Sequence, residues 1–277
     1  ILRAQGAYIH NLSDFWDYYW KNPNGSDPEQ LGWRLKYNRD NRGDIYATHG
    51  LGPVAQALNI HRGDRMTTLV AMDTKSVQGK QLVEERTGKP CTEFRNGDHT
   101  TTLIQTADRK VIELQHDVMN PQPYSRLYQL TGTKGFANKY PVEGYAIDAK
   151  QLKATGNAPK VDNLTSHSFM PDDQRKALEE KYESPILKKF GKLAKEVGGH
   201  GGMDFIMCAR LIYCLQNGLP LDMDVYDLAE WCCIAELGAI SMDNECAPVT
   251  FPDFTRGLWT KEKGYKHAYA SAEQEAA

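Results

Sequence analysis

A tyrosine, a threonine and a histidine stand within four residues, Tyr46-Ala47-Thr48-His49, and run straight into Gly50-Leu51-Gly52-Pro53. Tyr46 and His49 can each give or take a proton, and Thr48 adds a hydroxyl. Glycines let a backbone come close to a ligand. The helix start offers N–H groups without intrahelical partners. Just upstream, Gly32-Trp33-Arg34-Leu35-Lys36-Tyr37-Asn38 contributes Arg34, whose planar fork can grip hydroxyls or a carbonyl. The chemistry on offer is proton transfer beside a polar ligand. The same run also reads as a helix-capping turn with a surface histidine and a core tyrosine, and residue types alone leave both readings open.

Three further segments could carry chemistry. In Tyr8-Ile9-His10, strand alternation puts two titratable rings on one face, where they line either a pocket or the polar end of a strand. In Pro121-Gln122-Pro123-Tyr124-Ser125-Arg126, two prolines force an extended turn and fix the direction of Tyr124. Aromatic residues so placed stack on the apolar face of a sugar ring; Tyr128, inside the next strand, reads as core. Gly198-Gly199-His200-Gly201-Gly202-Met203-Asp204 surrounds His200 with four glycines and permits a close backbone approach. Its plainer reading is a flexible interhelical turn with Asp204 as N-cap.

Several chemistries find no support. No His pair has the helical spacing of a zinc site with a nearby Glu, and no Gly-x-Ser-x-Gly elbow occurs. Of the remaining histidines, His116 falls in a strand, and His61, His99, His167 and His267 fall in polar loop-like stretches. The six cysteines lack Cys-x-x-Cys spacing, and four sit in apolar helix-like runs, so neither a metal nor a disulfide scaffold is expected. Many acids are present, but none is marked as half of a glycosidase carboxylate pair. There is no Gly-x-Gly-x-x-Gly after a strand and no Walker loop.

The elements that must position these residues fall into two halves. Strands are predicted at Met66–Met72, Thr100–Thr106, Val111–Val118, Ser125–Thr131 and Tyr140–Ile147, with Ala107-Asp108-Arg109-Lys110 turning an antiparallel meander. Helices are predicted at Asp14–Trp20 behind Ser13, at Thr48–Asn59 with Pro53 in its first turn, and at Val77–Arg86. Lys21–Glu29 reads as loop. The later half is helical, at Asp172–Tyr182, Pro185–Val197, Asp204–Asn217 ending at Gly218, and Asp224–Met242 capped by Asp222 or Asp224. Between the halves, Lys150–Met170 reads as a long loop. Such an order predicts an α+β domain: an open-faced, predominantly antiparallel or mixed sheet with helices on one face.

Length and charge fit one domain over 1–260 followed by a polar, alanine-rich tail over 261–277. The chain has 277 residues, 40% hydrophobic and 25% charged, enough to bury a core. A net charge of −3 argues against a nucleic-acid partner bound by phosphate neutralisation. No apolar run approaches the ~20 residues of a membrane span. The opening Ile1-Leu2-Arg3-Ala4 reads as a strand already under way, without a signal-peptide pattern. The expectation is a C-terminal part of a longer protein, with any nucleotide-binding module upstream.

Gly6-Ala7-Tyr8-Ile9-His10, Trp33-Arg34-Leu35, Tyr46 to Ala55, Pro123-Tyr124-Ser125-Arg126, Gly132-Thr133-Lys134-Gly135 and His200-Gly201-Gly202-Met203-Asp204-Phe205 occur in that order. Together they resemble the C-terminal domain of glycoside hydrolase family 109, within the Gfo/Idh/MocA oxidoreductase-like group, whose type activity is α-N-acetylgalactosaminidase. The resemblance extends to about Cys233, and Tyr46–Ala55 is its most specific stretch. It implies an N-terminal Rossmann domain holding NAD, with no main cofactor contact in this chain, a sheet that mediates homo-oligomer contacts, and an N-acetylgalactosamine-terminated glycan as partner. Family members are often exported. Activity would run by oxidation at C3 of the sugar, loss of the C2 proton, departure of the glycosidic oxygen, addition of water and return of hydride. By position, the resemblance puts Arg34, Tyr46, Thr48, His49 and Tyr124 where the family contacts the sugar, and Tyr8 and His10 where it lines the pocket beside the nicotinamide. We read Tyr8, Tyr46 and His49 as the proton carriers, with acid and base unassigned, and Arg34, Thr48, Tyr124, His10 and His200 as substrate-binding. One departure matters: the wider group's Asp-x-Gly-x-His run reads Thr48-His49-Gly50-Leu51-Gly52 here, so the ordinary dehydrogenase acid/base is missing from its place. A sugar or inositol dehydrogenase and a non-catalytic sugar-binding domain stand as alternatives.

Overall fold

The computed structural model describes residues 1–22, 24, 25, 27, 30–148, 150 and 167–262. The expected loop Lys150–Met170 and tail 261–277 lie largely outside the described residues. Strands β1 (Arg3–Ile9), β2 (Met66–Asp73), β3 (Thr100–Thr106), β4 (Val111–Asp117), β5 (Ser125–Thr131), β6 (Gly135–Asn138), β7 (Gly144–Ile147) and β8 (Val249–Thr250) form one sheet in the order β7-β6-β5-β1-β4-β3-β2-β8. The β3–β4 pair is antiparallel as expected, and β2 adds to it antiparallel on the other side of β3. β1 then inserts between β5 and β4 and runs parallel to β4, which makes the sheet mixed. The expected strand Tyr140–Ile147 is only its second half, because Tyr140-Pro141 turns the chain between β6 and β7.

The helices are α1 (Trp16–Tyr19), α2 (Trp33–Asp40), α3 (Ala47–Ala57), α4 (Gln78–Thr87), α5 (Asp172–Tyr182), α6 (Pro185–Val197), α7 (Met203–Asn217) and α8 (Val225–Asp243). α8 begins in a capping box in which Asp224 accepts from the Tyr226 and Asp227 amides. α7 ends at Gly218 in a left-handed conformation. Two expected caps are absent. Asp204 lies inside α7, whose N-cap is Gly202, and the Ser13 hydroxyl bonds Asn11. α2 went unpredicted, since its apolar pattern is too weak to show a helical face. Among the described residues no helix is long and apolar enough to cross a membrane.

α3 and α8 pack on one face of the sheet. Leu51, Val54, Leu69, Ile104, Ile112 and Ile234 form the main core there. The opposite face carries Gln5, Glu113, Gln115, Leu103 and Met72, half-buried or exposed. A second cluster, with Tyr19, Trp20, Leu31 and Leu35 at its centre, anchors α1 and α2 beside the end of β1.

Two glycines set the contact that matters most. A Cβ on Gly6 of β1 would lie 2.1 Å from the Gly50 carbonyl oxygen, and one on Gly50 would lie 2.7 Å from the Ala7 amide nitrogen. Only hydrogen at both positions lets the first turn of α3 rest on the β1 backbone. Gly52 serves α8 in the same way, its open side facing the Trp231 ring. The glycines expected to admit a ligand instead admit backbone and core.

Candidate functional site

Seating α3 on β1 carries Tyr46 and His49 onto Tyr8. The Tyr8 and Tyr46 rings stack at 4.6 Å and 14°, and His49 meets the edge of Tyr8 at 4.6 Å. His10, two residues along β1, approaches the Tyr8 hydroxyl to 3.3 Å through Nδ1. Tyr124 stands edge-on to His10 at 5.1 Å. The prolines before it deliver Tyr124 as the sequence suggested, and the Arg126 Nε–H donates to its hydroxyl at 2.6 Å. The same guanidinium lies 4.7 Å above the Tyr8 ring. Thr48 Oγ1 and His49 Nδ1 are 3.3 Å apart. Arg34, on α2, stacks against Tyr18 and Trp33 at the margin of the cluster.

Seven of the eight expected site residues thus share one region. His200 does not join them by any contact described. Its segment packs against α6 and α7, and its exposed ring pairs with Asp204 at 3.0 Å. Its left-handed backbone, with the glycines around it, serves a turn between helices, the plainer of the two readings.

Burial sets the protonation states. It lowers the His49 pKa to about 4, and the nearby Arg126 and His10 charges act in the same direction. His10 is lowered by burial and by Arg126. Burial, then Tyr46, pushes the Tyr8 phenol up to about 12. Burial also raises Tyr46, and the Arg34 charge offsets part of the rise. Near neutrality the cluster is therefore two protonated phenols and two neutral imidazoles. No carboxylate hydrogen-bonds these four side chains among the described residues.

Several residues of the site carried no role in the sequence reading. His116 is 1% exposed and lies in register with Tyr8 across the parallel β1–β4 pair. Its ring is nearly parallel to both tyrosines, 7° from Tyr46 and 19° from Tyr8, and among the described residues neither nitrogen has a hydrogen-bond partner. Burial lowers its pKa to about 4. Asp44 is fully enclosed and accepts from the Tyr46 amide at 3.1 Å, and burial pushes its carboxyl up to about 7. Tyr128 donates to the His49 carbonyl at 2.7 Å. That acceptor is open because Pro53, four residues on, has no N–H. A bulge in β5, with Leu127 and Tyr128 both at positive φ, turns Tyr128 toward it. The Pro53–His49 spacing was the available signal; the bulge had none.

Other polar groups lie away from the rings. His61, Asp224 and Asp227 bring ligand atoms within 4.8 Å of one another, close enough for a cation. The Arg62 guanidinium already pairs with both carboxylates, at 3.2 and 3.1 Å, and Asp224 caps α8. We read this cluster as an anchor for the chain after α3. A cleft of about 700 Å³ near α6 and α7 is lined largely by apolar side chains and lacks the ring cluster's proton carriers.

The model of the C-terminal domain of glycosyl hydrolase 109 matches residues 1–261. Glycosyl hydrolase family 109 protein 5 of Phocaeicola vulgatus is 75% identical over all 277 residues, which cover 53% of that relative. Glycosyl hydrolase family 109 protein 1 of Bacteroides thetaiotaomicron is 56% identical over 270 residues, 98% of this chain and 56% of the relative. The chain thus spans about half the length of the curated relatives it matches. Among solved structures, a levoglucosan dehydrogenase in complex with NADH and L-sorbose aligns with 92% of this chain and 60% of its own, at a TM-score of 0.54 and 17% identity. An oxidoreductase domain protein from Kribbella flavida aligns at a TM-score of 0.52 and 12% identity. These likenesses show the fold, that of the C-terminal domain of Gfo/Idh/MocA oxidoreductase-like proteins. The chain belongs to glycoside hydrolase family 109, as its C-terminal domain.

Proposed function

We propose that the ring cluster is the substrate-facing wall of an NAD-dependent glycosidase that releases terminal, α-linked N-acetylgalactosamine. One observation carries the reading. Tyr8, Tyr46, His49 and His10 form a compact set of proton carriers, and among the described residues no carboxylate hydrogen-bonds their side chains. Direct displacement at C1 ordinarily uses two flanking carboxylates, whereas oxidation and elimination needs only proton carriers and a redox cofactor. NAD, bound mainly outside this chain, supplies reversible hydride transfer at C3 of the sugar. The donor set suits that partner, since all four groups remain uncharged near neutrality beside the fixed charges of Arg34 and Arg126.

Within this frame His49, a neutral imidazole beside Thr48, accepts the proton from C2. Tyr8 and Tyr46, both protonated, donate toward the departing oxygen. Arg34 and Tyr124 hold and stack the sugar, and Arg126 keeps Tyr124 in place. His200 lies outside this assignment. Exposed Leu103 and Met72 on the open sheet face, beside Gln5 and Glu113, support that face as the contact between copies.

The test is turnover of an N-acetyl-α-galactosaminide by the natural full-length protein in D2O. Deuterium should enter C2 of the product, or a C2-deuterated substrate should show a primary isotope effect in kcat/KM. Neither signal, with activity surviving complete removal of NAD, refutes the reading. The sheet architecture shared with the levoglucosan dehydrogenase favours one second reading, a sugar dehydrogenase with net NADH formation. NADH accumulation in step with a ketone product, without released aglycone, would select it. Sugar binding with no turnover would select a non-catalytic role.

A further inference from the structure

We propose that an aromatic rim beside the ring cluster binds the sugar unit next to the terminal one, so that the site takes glycan chains rather than isolated terminal sugars. This inference rests on the reading of the cluster as a glycan site. Seven aromatic side chains are exposed among the described residues. Five of them, Phe15, Tyr18, Trp33, Tyr37 and Tyr124, belong to α1, α2 or the segments leading into α1 and β5.

Four join the site through a continuous series of contacts. His10 meets Tyr124 at 5.1 Å and Phe15 at 6.3 Å. Phe15 meets Tyr18 at 5.8 Å. The Arg34 guanidinium then stacks on Tyr18 at 4.8 Å and on Trp33 at 4.3 Å. The track leads from the proton carriers to Trp33, which is 62% exposed.

The rim is held firmly, so its exposure is not fraying. The neighbouring Tyr19 and Trp20 are buried, and the Tyr19 hydroxyl donates to the Val118 carbonyl at 2.7 Å. A Cβ on Gly32 would lie 2.9 Å from the Tyr19 carbonyl carbon. Glycine there lets the start of α2 lie against α1, which places Trp33 and Arg34 beside Tyr18. Exposing rigid aromatic surface is unfavourable unless something covers it. A pyranose fits: its axial C–H face covers a ring, and its hydroxyls meet the guanidinium. Continuity with the site selects the sugar on the leaving-group side.

The experiment uses the natural full-length protein with NAD, a methyl N-acetyl-α-galactosaminide, and an oligosaccharide ending in the same sugar. In Trp33→Ala the ratio of kcat/KM for the oligosaccharide to that for the methyl glycoside should fall about tenfold, mainly through KM. Trp33→Phe should restore most of it. An unchanged ratio, whether both substrates are impaired equally or neither is, overturns the proposal; that outcome means the rim packs against another part of the protein. If the parent protein turns over neither substrate, the glycosidase reading fails on its own. The rim is then judged by saturation-transfer NMR with the same oligosaccharide. Contact to the second sugar that is lost in Trp33→Ala supports the proposal, and contact that is absent in the parent or unchanged in the variant overturns it.

Discussion

Tyr128→Phe should weaken the protein, and Pro53→Ala should cancel most of that loss. Pro53 lies inside α3 and cannot donate to the His49 carbonyl, so the Tyr128 hydroxyl takes the position at 2.7 Å. Phenylalanine keeps the ring packed against the main core and removes only the donor. A half-buried carbonyl left short of its partner costs about 1–3 kcal/mol. For a domain of this size about 2 kcal/mol is a fall in Tm on the order of 6 °C. Alanine at position 53 restores an N–H four residues after His49 and lets the helix close its own bond. In that background Tyr128→Phe should cost under about 0.5 kcal/mol, a coupling of about 1.5 kcal/mol between two residues on different elements. The assay is thermal and urea unfolding of parent, both single variants and the double variant. Equal losses in both backgrounds would show that Tyr128 does not stand in for the missing helix bond. Because the bond holds the residue that carries the His49 ring, activity of the full-length protein should fall and recover in the same pattern.

Three further outcomes follow from geometry and protonation. Gly6→Ala puts a methyl group 2.1 Å from the Gly50 carbonyl oxygen; it should cost about 3 kcal/mol and abolish turnover, and a variant with parental Tm would refute the close seating of α3 on β1. His49 and His116 have folded pKa values lowered from 6.5 to about 4, so stability is fully present above pH 6.5 and drains as pH falls toward 4; His116→Phe should flatten that slope, and the acid limb of kcat/KM assigned to His49 should lie near 4, a limb near 6.5 being the contrary result. Asp44 is raised from 3.8 to about 7, so its burial costs nothing below pH 3.8 and grows as pH rises through 7; Asp44→Asn should unfold at a higher temperature than the parent at pH 8 and at the same temperature near pH 4, and a lower Tm at pH 8 would contradict this.

Local chemistry determined much of this protein directly. β-prone runs bounded by turn residues marked β2 to β5, an apolar face marked α3, and long apolar runs between helix-end residues marked α7 and α8. Asp224, Gly218 and Pro185 marked helix ends because unsatisfied backbone groups demand particular residues there. Tyr8, His10, Tyr46, His49 and Tyr124 stood out as proton carriers or stacking rings in Gly- or Pro-bounded segments. What the sequence could not determine depends on pairings between distant segments. The parallel insertion of β1 beside β4 brings His116 behind Tyr8 and Tyr46, yet 107 residues separate the paired Tyr8 and His116. The Gly6–Gly50 contact sets the seat of α3 on β1, where the sequence suggested a ligand at Gly50, because the clash that excludes every other residue exists only once α3 lies on β1. The β5 bulge that aims Tyr128 has no local signature, since Leu127 and Tyr128 are poor candidates for positive φ. His200 failed to join the cluster for the same reason. Four glycines permit a close approach, but only the packing of α6 and α7 decides what is approached.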